Sequence, residues 1–211
     1  MTKFYIIRHG ESLGNHQNLF LGHTDLGLTE RGHAQAELTG EYLKDVPIDA
    51  FYSSDLKRAY ETCKHISDKK GMDITTHKGL REIFAGEWEA KVFNSLLDTY
   101  PAFKVWLDDM PNARCDGGES VRELKDRVEK AFVEIAEANP GKTVCVVSHA
   151  TPIRVMCTVF RGVPLEEIDG IPWVPNSSVT EVIYDNGNWT LIREGYKEHM
   201  GDISTELPSN V

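Results

Sequence analysis

Apolar runs alternate with segments of helical periodicity along the first part of the chain. Residues 4–8 form a β-branched and aromatic run, which is typical of a buried strand. A loop rich in glycine, asparagine and histidine follows, and Thr29 is placed to cap a helix over residues 30–44. A second strand is predicted over residues 50–53. The pattern indicates strands and helices that alternate along the chain.

The same alternation continues further along. Ser54 and Asp55 can cap a helix directly after the second strand. A capping-box sequence begins a helix over residues 120–138, whose apolar residues share one face. Residues 143–147 are almost continuously apolar, as expected for a central parallel strand. Pro152 fits the first turn of the helix that comes next.

Two further strands are predicted over residues 179–184 and 189–193, joined by a turn at 185–188. The polar tail from Glu194 onward is expected to be mobile, or to fold across a site. Together these elements predict an α/β fold with helices on both sides of a mostly parallel central sheet and an antiparallel edge pair. We expect one domain over residues 1–211.

The segment 83–117 interrupts this pattern with short amphipathic pieces and many aromatic residues. Two compatible interpretations remain: a satellite core beneath a long connection, or a small helical lid over a ligand site that sets specificity. The aromatic residues are Phe84, Trp88, Phe93, Tyr100, Phe103 and Trp106.

The composition indicates which class of protein this chain belongs to. The chain of 211 residues is 40% hydrophobic and 27% charged, as is typical of globular proteins, and no apolar stretch is long enough for a membrane span. The first residues lack the features of a signal peptide, so a cytoplasmic location is expected. The four cysteines are widely spaced without a CxxC pair, which favours buried free thiols.

The net charge of −10 argues against general nucleic-acid binding, which needs a basic surface. An anionic substrate would need a local cluster of cations at the ends of the strands. Arg8, Arg58 and Arg154 are the candidates.

Two of the predicted strands are followed by a histidine, namely His9 and His149. Arg8 precedes the first of them, and Arg58 lies in the first turn of a helix. If the strands are neighbours, these groups meet at one sheet edge among helix N-termini, which favour anions. Taken singly, each of these side chains is more often structural than functional. Together they indicate a phosphate pocket.

The order and spacing of these residues resemble the histidine phosphatase superfamily, also called phosphoglycerate mutase-like. The resemblance covers nearly all of residues 4–160. Its motifs are Arg8-His9-Gly10-Glu11-Ser12 with Asn15, Ser54-Asp55-Leu56 with Arg58-Ala59 and Thr62, Leu80 with Glu82, Gly117-Gly118-Glu119-Ser120, and Val147-Ser148-His149 with Ile153-Arg154.

The resemblance implies a phosphohistidine mechanism. His9 is expected to attack phosphorus through one ring nitrogen while a backbone carbonyl holds the other. Arg8, Arg58 and His149 are expected to surround the three equatorial oxygens and to stabilise their charge. Glu82 is expected to protonate the leaving alkoxide and then to activate water. Neither a metal nor another cofactor is then required.

Four further positions complete the phosphate shell that the resemblance implies. They are Asn15, Leu21, Gly22 and Ala150. Leu21 stands where the mutases of this family usually have threonine, and Ala150 stands where glycine is usual. The phosphate contacts at these two positions therefore depart from the family pattern.

The phosphatase branch is favoured over the mutases. A mutase must hold a small bisphosphate by its second anionic end, which needs cations beyond the first phosphate pocket. The cofactor-dependent mutases resembling this chain have an arginine directly after the acid and a tyrosine two residues later. This chain has Ile83 and Ala85 there, although Lys91, Lys104 or Arg114 could still meet a second negative group.

The predicted function is therefore a metal-independent phosphomonoesterase that acts on a small phosphorylated metabolite, in a chain that could form a homodimer. The apolar and aromatic residues of segment 83–117 suggest leaving groups with some apolar surface. A cofactor-dependent phosphoglycerate mutase and a catalytically inactive phosphate-binding module are the alternatives. A metal site is disfavoured because the histidines show no HxH, HxxxH or HExxH spacing. Six histidines are predicted to lie at the surface: His16, His23, His33, His65, His77 and His199.

Overall fold

The computed structural model describes residues 1–205 of the chain. In that range the strands are β1 (Thr2–Arg8), β2 (Leu19–Phe20), β3 (Ala50–Ser53), β4 (Ile74–Thr76), β5 (Lys91–Val92), β6 (Thr143–Ser148), β7 (Val179–Asp185) and β8 (Asn188–Tyr196). The α-helices are α1 (Leu13–His16), α2 (Glu30–Leu43), α3 (Lys57–Asp68), α4 (Leu96–Thr99), α5 (Phe103–Asp108), α6 (Val121–Ala138) and α7 (Ala150–Arg161). Short 3₁₀ turns connect several of them.

Six strands form one sheet in the order β4-β3-β6-β1-β7-β8. The strands β4, β3, β6 and β1 are parallel to one another, whereas β7 pairs antiparallel with both β1 and β8. β2 and β5 form a separate two-stranded sheet. The predicted α/β class, with a mostly parallel sheet and an antiparallel edge pair, is confirmed.

Helices cover both faces of the sheet because successive apolar residues of β1 point to opposite sides. On one face, Ile6 packs in a core cluster with Phe132 of α6 and Met156 of α7. On the other face, Ile7 packs in a second cluster with Ile66 of α3. This is the predicted three-layer arrangement.

Two helices begin where the sequence predicts. The Thr29 side chain accepts a hydrogen bond from the Gly32 amide at the start of α2. Ser120 and Glu123 form a reciprocal capping box at the start of α6. Each cap satisfies amides that the first turn of a helix leaves without a partner.

The predicted cap of α3 is wrong. The residue before that helix is Leu56, which provides no side-chain hydrogen bond to the first turn. Tertiary contacts engage the two expected capping side chains instead. The Ser54 hydroxyl lies 2.8 Å from Nε2 of His149, and Asp55 accepts a hydrogen bond of 2.7 Å from Nε of Arg81.

The segment 83–117 contains β5, α4 and α5 and contributes to the main core. Its buried side chains Trp88, Phe103 and Trp106 belong to the same cluster as the sheet residues of β1 and β6, so they extend that core rather than form a satellite. Phe84, by contrast, is 43% exposed. The single domain with a lid insertion stays a prediction.

Residues 194–196 belong to β8 and residues 198–205 lie against α2, so the predicted mobile tail is wrong for this part of the chain. The Gln35 side chain donates a hydrogen bond of 2.8 Å to the Ile203 carbonyl, and Arg31 donates one of 2.8 Å to the Ser204 carbonyl. Polar side chains of the helix thus meet main-chain acceptors of the tail. Residues 206–211 lie outside the described part of the chain.

The four cysteines are free and buried, as predicted: Cys63, Cys115, Cys145 and Cys157. Across residues 1–205, no helix combines the length and the apolar character that crossing a bilayer demands.

Candidate active site

The carboxyl ends of β1 and β6 lie side by side, because the two strands are parallel neighbours with Arg8 opposite Ser148. The residue after each strand is a histidine. The ring centroids of His9 and His149 are 5.1 Å apart, and the ring planes meet at 62°. The His9 amide also donates a hydrogen bond of 3.0 Å to the Ser148 carbonyl, which ties the two strand ends together.

His9 is buried and held in one tautomer. Its Nδ1 lies 2.7 Å from the Gly10 carbonyl oxygen, and because a carbonyl only accepts, Nδ1 carries the proton. Burial, followed by the charges of Arg58 and Arg8, lowers the pKa of His9 well below 6.5. The imidazole is therefore neutral at pH 7, with the lone pair on Nε2 available.

Arg8 and Arg58 are buried cations with spare donors. Arg8 donates from Nη1 to the Val174 carbonyl at 2.7 Å, and Arg58 donates from Nη2 to the Gly22 carbonyl at 2.8 Å. Burial lowers the pKa of each guanidinium to about 10, so both remain charged at pH 7. Within residues 1–205, neither buried Nε has a hydrogen-bond partner. Such a pair of cations is suited to an anion.

Glu82 lies in the loop between β4 and β5 and contacts the first turn of α7. Its Oε1 accepts a hydrogen bond of 2.8 Å from the Ile83 amide, and its Oε2 accepts a longer one of 3.3 Å from the Thr151 amide. The carboxylate interacts electrostatically with both Arg8 and Arg58. A carboxyl group thus lies close to the two cations.

A pocket of about 580 Å³, its open mouth included, joins these groups. Gly22 adopts a φ of 51°, and a Cβ atom there would lie 2.6 Å from Cβ of Ala85, so only glycine fits. The predicted site residues that line the pocket are Arg8, His9, Asn15, Leu21, Gly22, Arg58, Glu82 and Ala150.

His149 is the one predicted site residue that does not line the pocket. Its side chain is fully buried, with Nε2 beside the Ser54 hydroxyl and, among the described residues, no partner for Nδ1. Burial, followed by the charge of Arg58, lowers its pKa well below 6.5. The ring is therefore neutral and contacts His9 rather than open space.

Several residues of the pocket wall were not predicted from the sequence. Leu19, Phe20, Thr151 and Trp173 line the pocket beside the aromatic residues of segment 83–117. Trp173 lies in the loop between α7 and β7, and a large aromatic residue in a loop is a signal that could have marked it as a candidate. Arg154, one of the three candidate cations, does not line this pocket.

Of the six histidines predicted to lie at the surface, His16 and His33 are exposed, and four are half-buried: His23, His65, His77 and His199. His23 is half-buried, and its Nε2 lies 2.9 Å from the Glu82 carbonyl, so it donates to the main chain beside the candidate acid. His199 is half-buried against Thr39 of α2. In the part of the chain that the structure describes, no three histidine, cysteine, aspartate or glutamate side chains are grouped to hold a metal ion.

The family model of the histidine phosphatase superfamily (branch 1) matches residues 4–196. The chain belongs to this superfamily. The resemblance seen in its motifs is thereby confirmed. The predicted enzyme class, a phosphoric monoester hydrolase, agrees with this membership.

The members of the superfamily that are similar to this chain include proteins named as phosphatases and as mutases. Phosphoserine phosphatase 1 of Hydrogenobacter thermophilus is 29% identical over 207 residues, which are 98% of each chain. A probable phosphoglycerate mutase GpmB of Salmonella choleraesuis is 31% identical and aligns with 97% of this chain and 94% of its own. The solved structure of Bacillus stearothermophilus YhfR has a TM-score of 0.90 and 28% identity, covering 95% of this chain and 100% of that one.

Proposed function

We propose that this protein is a phosphomonoesterase that acts on a small phosphorylated metabolite through a phosphohistidine at His9 and needs no metal ion. The tautomer of His9 carries the proposal. Its Nδ1–H is held by the Gly10 carbonyl, which leaves Nε2 unprotonated in a pocket that also contains Arg8 and Arg58. A neutral nucleophile between two cations fits the attack on a phosphate dianion.

In the first step, the lone pair of His9 Nε2 attacks phosphorus and the bond from phosphorus to the leaving oxygen breaks. Arg8 and Arg58 stabilise the charge on the non-bridging oxygens. The Glu82 carboxyl, in its acid form, gives its proton to the departing alkoxide. The step yields a phosphohistidine, a Glu82 carboxylate and the free alcohol.

In the second step, water loses a proton to the Glu82 carboxylate and its oxygen bonds to phosphorus. The bond between phosphorus and Nε2 of His9 breaks, and the electron pair returns to the ring. Inorganic phosphate leaves, and Glu82 regains its acid form. Both steps thus use Arg8, Arg58 and Glu82 around Nε2 of His9.

The mutase alternative has support from the relative named as a probable phosphoglycerate mutase. A mutase requires a second set of cations for its bisphosphate, and this chain has apolar residues at the two positions where the mutases that it resembles have arginine and tyrosine. Ile83 and Ala85 are apolar and fully buried. Among the described residues, Arg8 and Arg58 are the only arginines or lysines that line the pocket. These observations favour hydrolysis.

The decisive experiment measures hydrolysis of 4-nitrophenyl phosphate in EDTA by the wild type and by His9→Ala. We expect the wild type to keep its activity in EDTA and His9→Ala to lose about 10³-fold or more. The exposed His33→Ala is the matched control. Equal rates for the wild type and His9→Ala would contradict the phosphohistidine mechanism. Loss of wild-type activity in EDTA would favour a metal-dependent mechanism.

A second experiment separates the phosphatase from the mutase. The protein is incubated with 3-phosphoglycerate and a trace of 2,3-bisphosphoglycerate, and both inorganic phosphate and 2-phosphoglycerate are followed. Release of inorganic phosphate supports the proposal. Rapid formation of 2-phosphoglycerate without free phosphate would overturn it, and phosphate binding without hydrolysis of 4-nitrophenyl phosphate would indicate an inactive module.

A further inference from the structure

The pocket continues from the phosphate-binding groups into an aromatic wall. Phe93, Trp106 and Trp173 line the same pocket as its charged residues. The same three side chains also line a neighbouring cavity of about 450 Å³, called the side cavity below. The two spaces adjoin at these rings, so a group attached to a bound phosphate would meet them first.

The rings of this wall are held by packing rather than free to turn away. The Phe20 ring is parallel to that of Phe93 within 3°, with centroids 6.0 Å apart. Trp106 meets Phe20 edge to face with centroids 5.1 Å apart. The guanidinium carbon of Arg154 lies 4.3 Å from the ring centroid of Trp173. The wall is thus preorganised, which lowers the entropic cost of binding a flat ligand.

Two of the basic side chains that could have met a second anionic group already pair with carboxylates. Lys104 pairs with Asp108, and Arg114 pairs with Glu123 at 2.6 Å. Within residues 1–205, none of the three basic side chains that the sequence left as candidates lines either space: Lys91, Lys104 and Arg114.

Within residues 1–205, Arg154 is the one cation that lines the side cavity, and acceptors of the same chain already engage its guanidinium. Its Nε donates to the Ile171 carbonyl at 2.9 Å, and its Nη2 donates to the Ile168 carbonyl at 3.1 Å. Its remaining nitrogen, Nη1, lies 3.3 Å from the sulfur of Met110. Asp169 adds a carboxylate to the same cavity, which repels an anion.

We propose that Phe93, Trp106 and Trp173 form the leaving-group subsite, and that it selects phosphomonoesters of uncharged alcohols with an aromatic or bulky apolar body. A carboxylate placed here would lose its hydration without gaining a cation, whereas a flat apolar group gains contact with the rings. This inference rests on the proposed function, because it takes the phosphate to be held beside His9.

The first test compares kcat/KM for benzyl phosphate, O-phosphoserine and 3-phosphoglycerate. All three release a primary alcohol, so differences among them report mainly the recognition of the rest of the molecule. We expect benzyl phosphate to exceed the other two by about tenfold or more. A preference for O-phosphoserine or 3-phosphoglycerate, or equal values, would overturn the subsite while leaving the phosphatase proposal intact.

The second test removes one ring of the wall. Trp173→Ala is expected to lower kcat/KM for benzyl phosphate about tenfold and that for O-phosphoserine less than about twofold, with partial rescue by Trp173→Phe. Tyr60→Ala removes an aromatic side chain that is 39% exposed and lines neither space, and it serves as the matched control.

Circular dichroism of each variant shows whether it is folded. Equal losses on both substrates in folded Trp173→Phe contradict the subsite, and this variant decides the matter if Trp173→Ala does not fold. Failure of the proposed function has a different signature: no phosphate is released from any of the three esters, or release is unaffected by His9→Ala.

Discussion

Arg127 of α6 donates a hydrogen bond of 3.1 Å from Nη2 to the main-chain carbonyl of Glu82. Its Nη1 donates to the carbonyls of Gly79 and Arg81 at 2.9 Å and 3.1 Å. The Glu119 carboxylate accepts hydrogen bonds from Nε and Nη2 of the same guanidinium. One arginine therefore fixes the loop that carries the proposed acid, without touching the reacting atoms.

Arg127→Lys should impair general acid catalysis through this loop, because lysine keeps the charge but loses the fork of donors. We expect kcat/KM, which reports the steps up to release of the alcohol, to fall about tenfold for benzyl phosphate and less than about twofold for 4-nitrophenyl phosphate. A nitrophenolate departs readily without a proton, so it depends less on Glu82. Steady-state kinetics on the two esters measure the difference.

Arg122→Lys is the control for this prediction, since Arg122 lies on the same helix and pairs with the exposed Glu166. It should leave both rates unchanged. If Arg127→Lys lowers both rates equally, the arginine supports the fold in general and does not position the acid.

Gly10→Ala should disturb the ring of His9. A Cβ atom at this position would lie 2.5 Å from the Gly32 carbonyl oxygen, so the main chain has to move. The Gly10 carbonyl holds Nδ1 of His9, and the displacement should lower kcat for 4-nitrophenyl phosphate about a hundredfold. Gly170→Ala, where an added Cβ meets nothing within 4 Å, should keep wild-type rates. Wild-type kcat in Gly10→Ala would show that this close approach does not matter.

Acid should destabilise the fold through the buried histidines. Burial, reinforced by neighbouring arginines, lowers the pKa of both His9 and His149 well below 6.5. As the pH falls below about 6.5, the unfolded chain binds protons at these rings and the folded chain does not. Their contribution is therefore fully present above pH 6.5 and is lost as the pH falls toward the folded pKa values.

We expect the unfolding free energy to fall by up to about 1.4 kcal/mol per pH unit for each of the two histidines. Urea unfolding at pH 7.5, 6.0 and 5.0 measures it. His149→Asn should give a shallower pH dependence than the wild type, and the exposed His33→Asn should not. The same steepness in His149→Asn and the wild type would be evidence against this source of acid sensitivity.

The thiols should be unreactive in the folded protein. All four are buried, and burial raises the pKa of Cys63, Cys145 and Cys157, so little thiolate forms at pH 8. Ellman's reagent should react with none of the thiols within minutes in buffer and with all of them in urea. Rapid modification in buffer would indicate that the core opens locally.

The strand ends could be predicted because a buried strand has a distinctive local composition. The run before Arg8 and the run before Ser148 are almost wholly apolar, and two such strands tend to lie in the middle of a sheet. The residues that follow these two strands then lie at the same edge of the sheet. This is why the sequence alone predicts that His9 and His149 lie close together.

Other features depend on tertiary contacts that leave no local trace. An aromatic residue in a pocket wall, such as Trp173, has the same sequence signature as one in a core. Ser54 can cap a helix or face a distant histidine with the same hydroxyl, and only the packing decides. β4 has just 3 residues at the sheet edge, too few for an alternating pattern to be recognised.

The position of β1 in the sheet has a consequence for biosynthesis. This strand, which delivers the proposed nucleophile, lies between β6 and β7 and is paired along its length with both. The ribosome synthesises β1 long before either partner, so this apolar strand has no neighbour until β6 has emerged, and it can be paired on both edges only once β7, which ends at residue 185, has emerged. The earliest group of the site to be synthesised is therefore among the last to reach its final place, and a nascent chain halted before that point should be inactive.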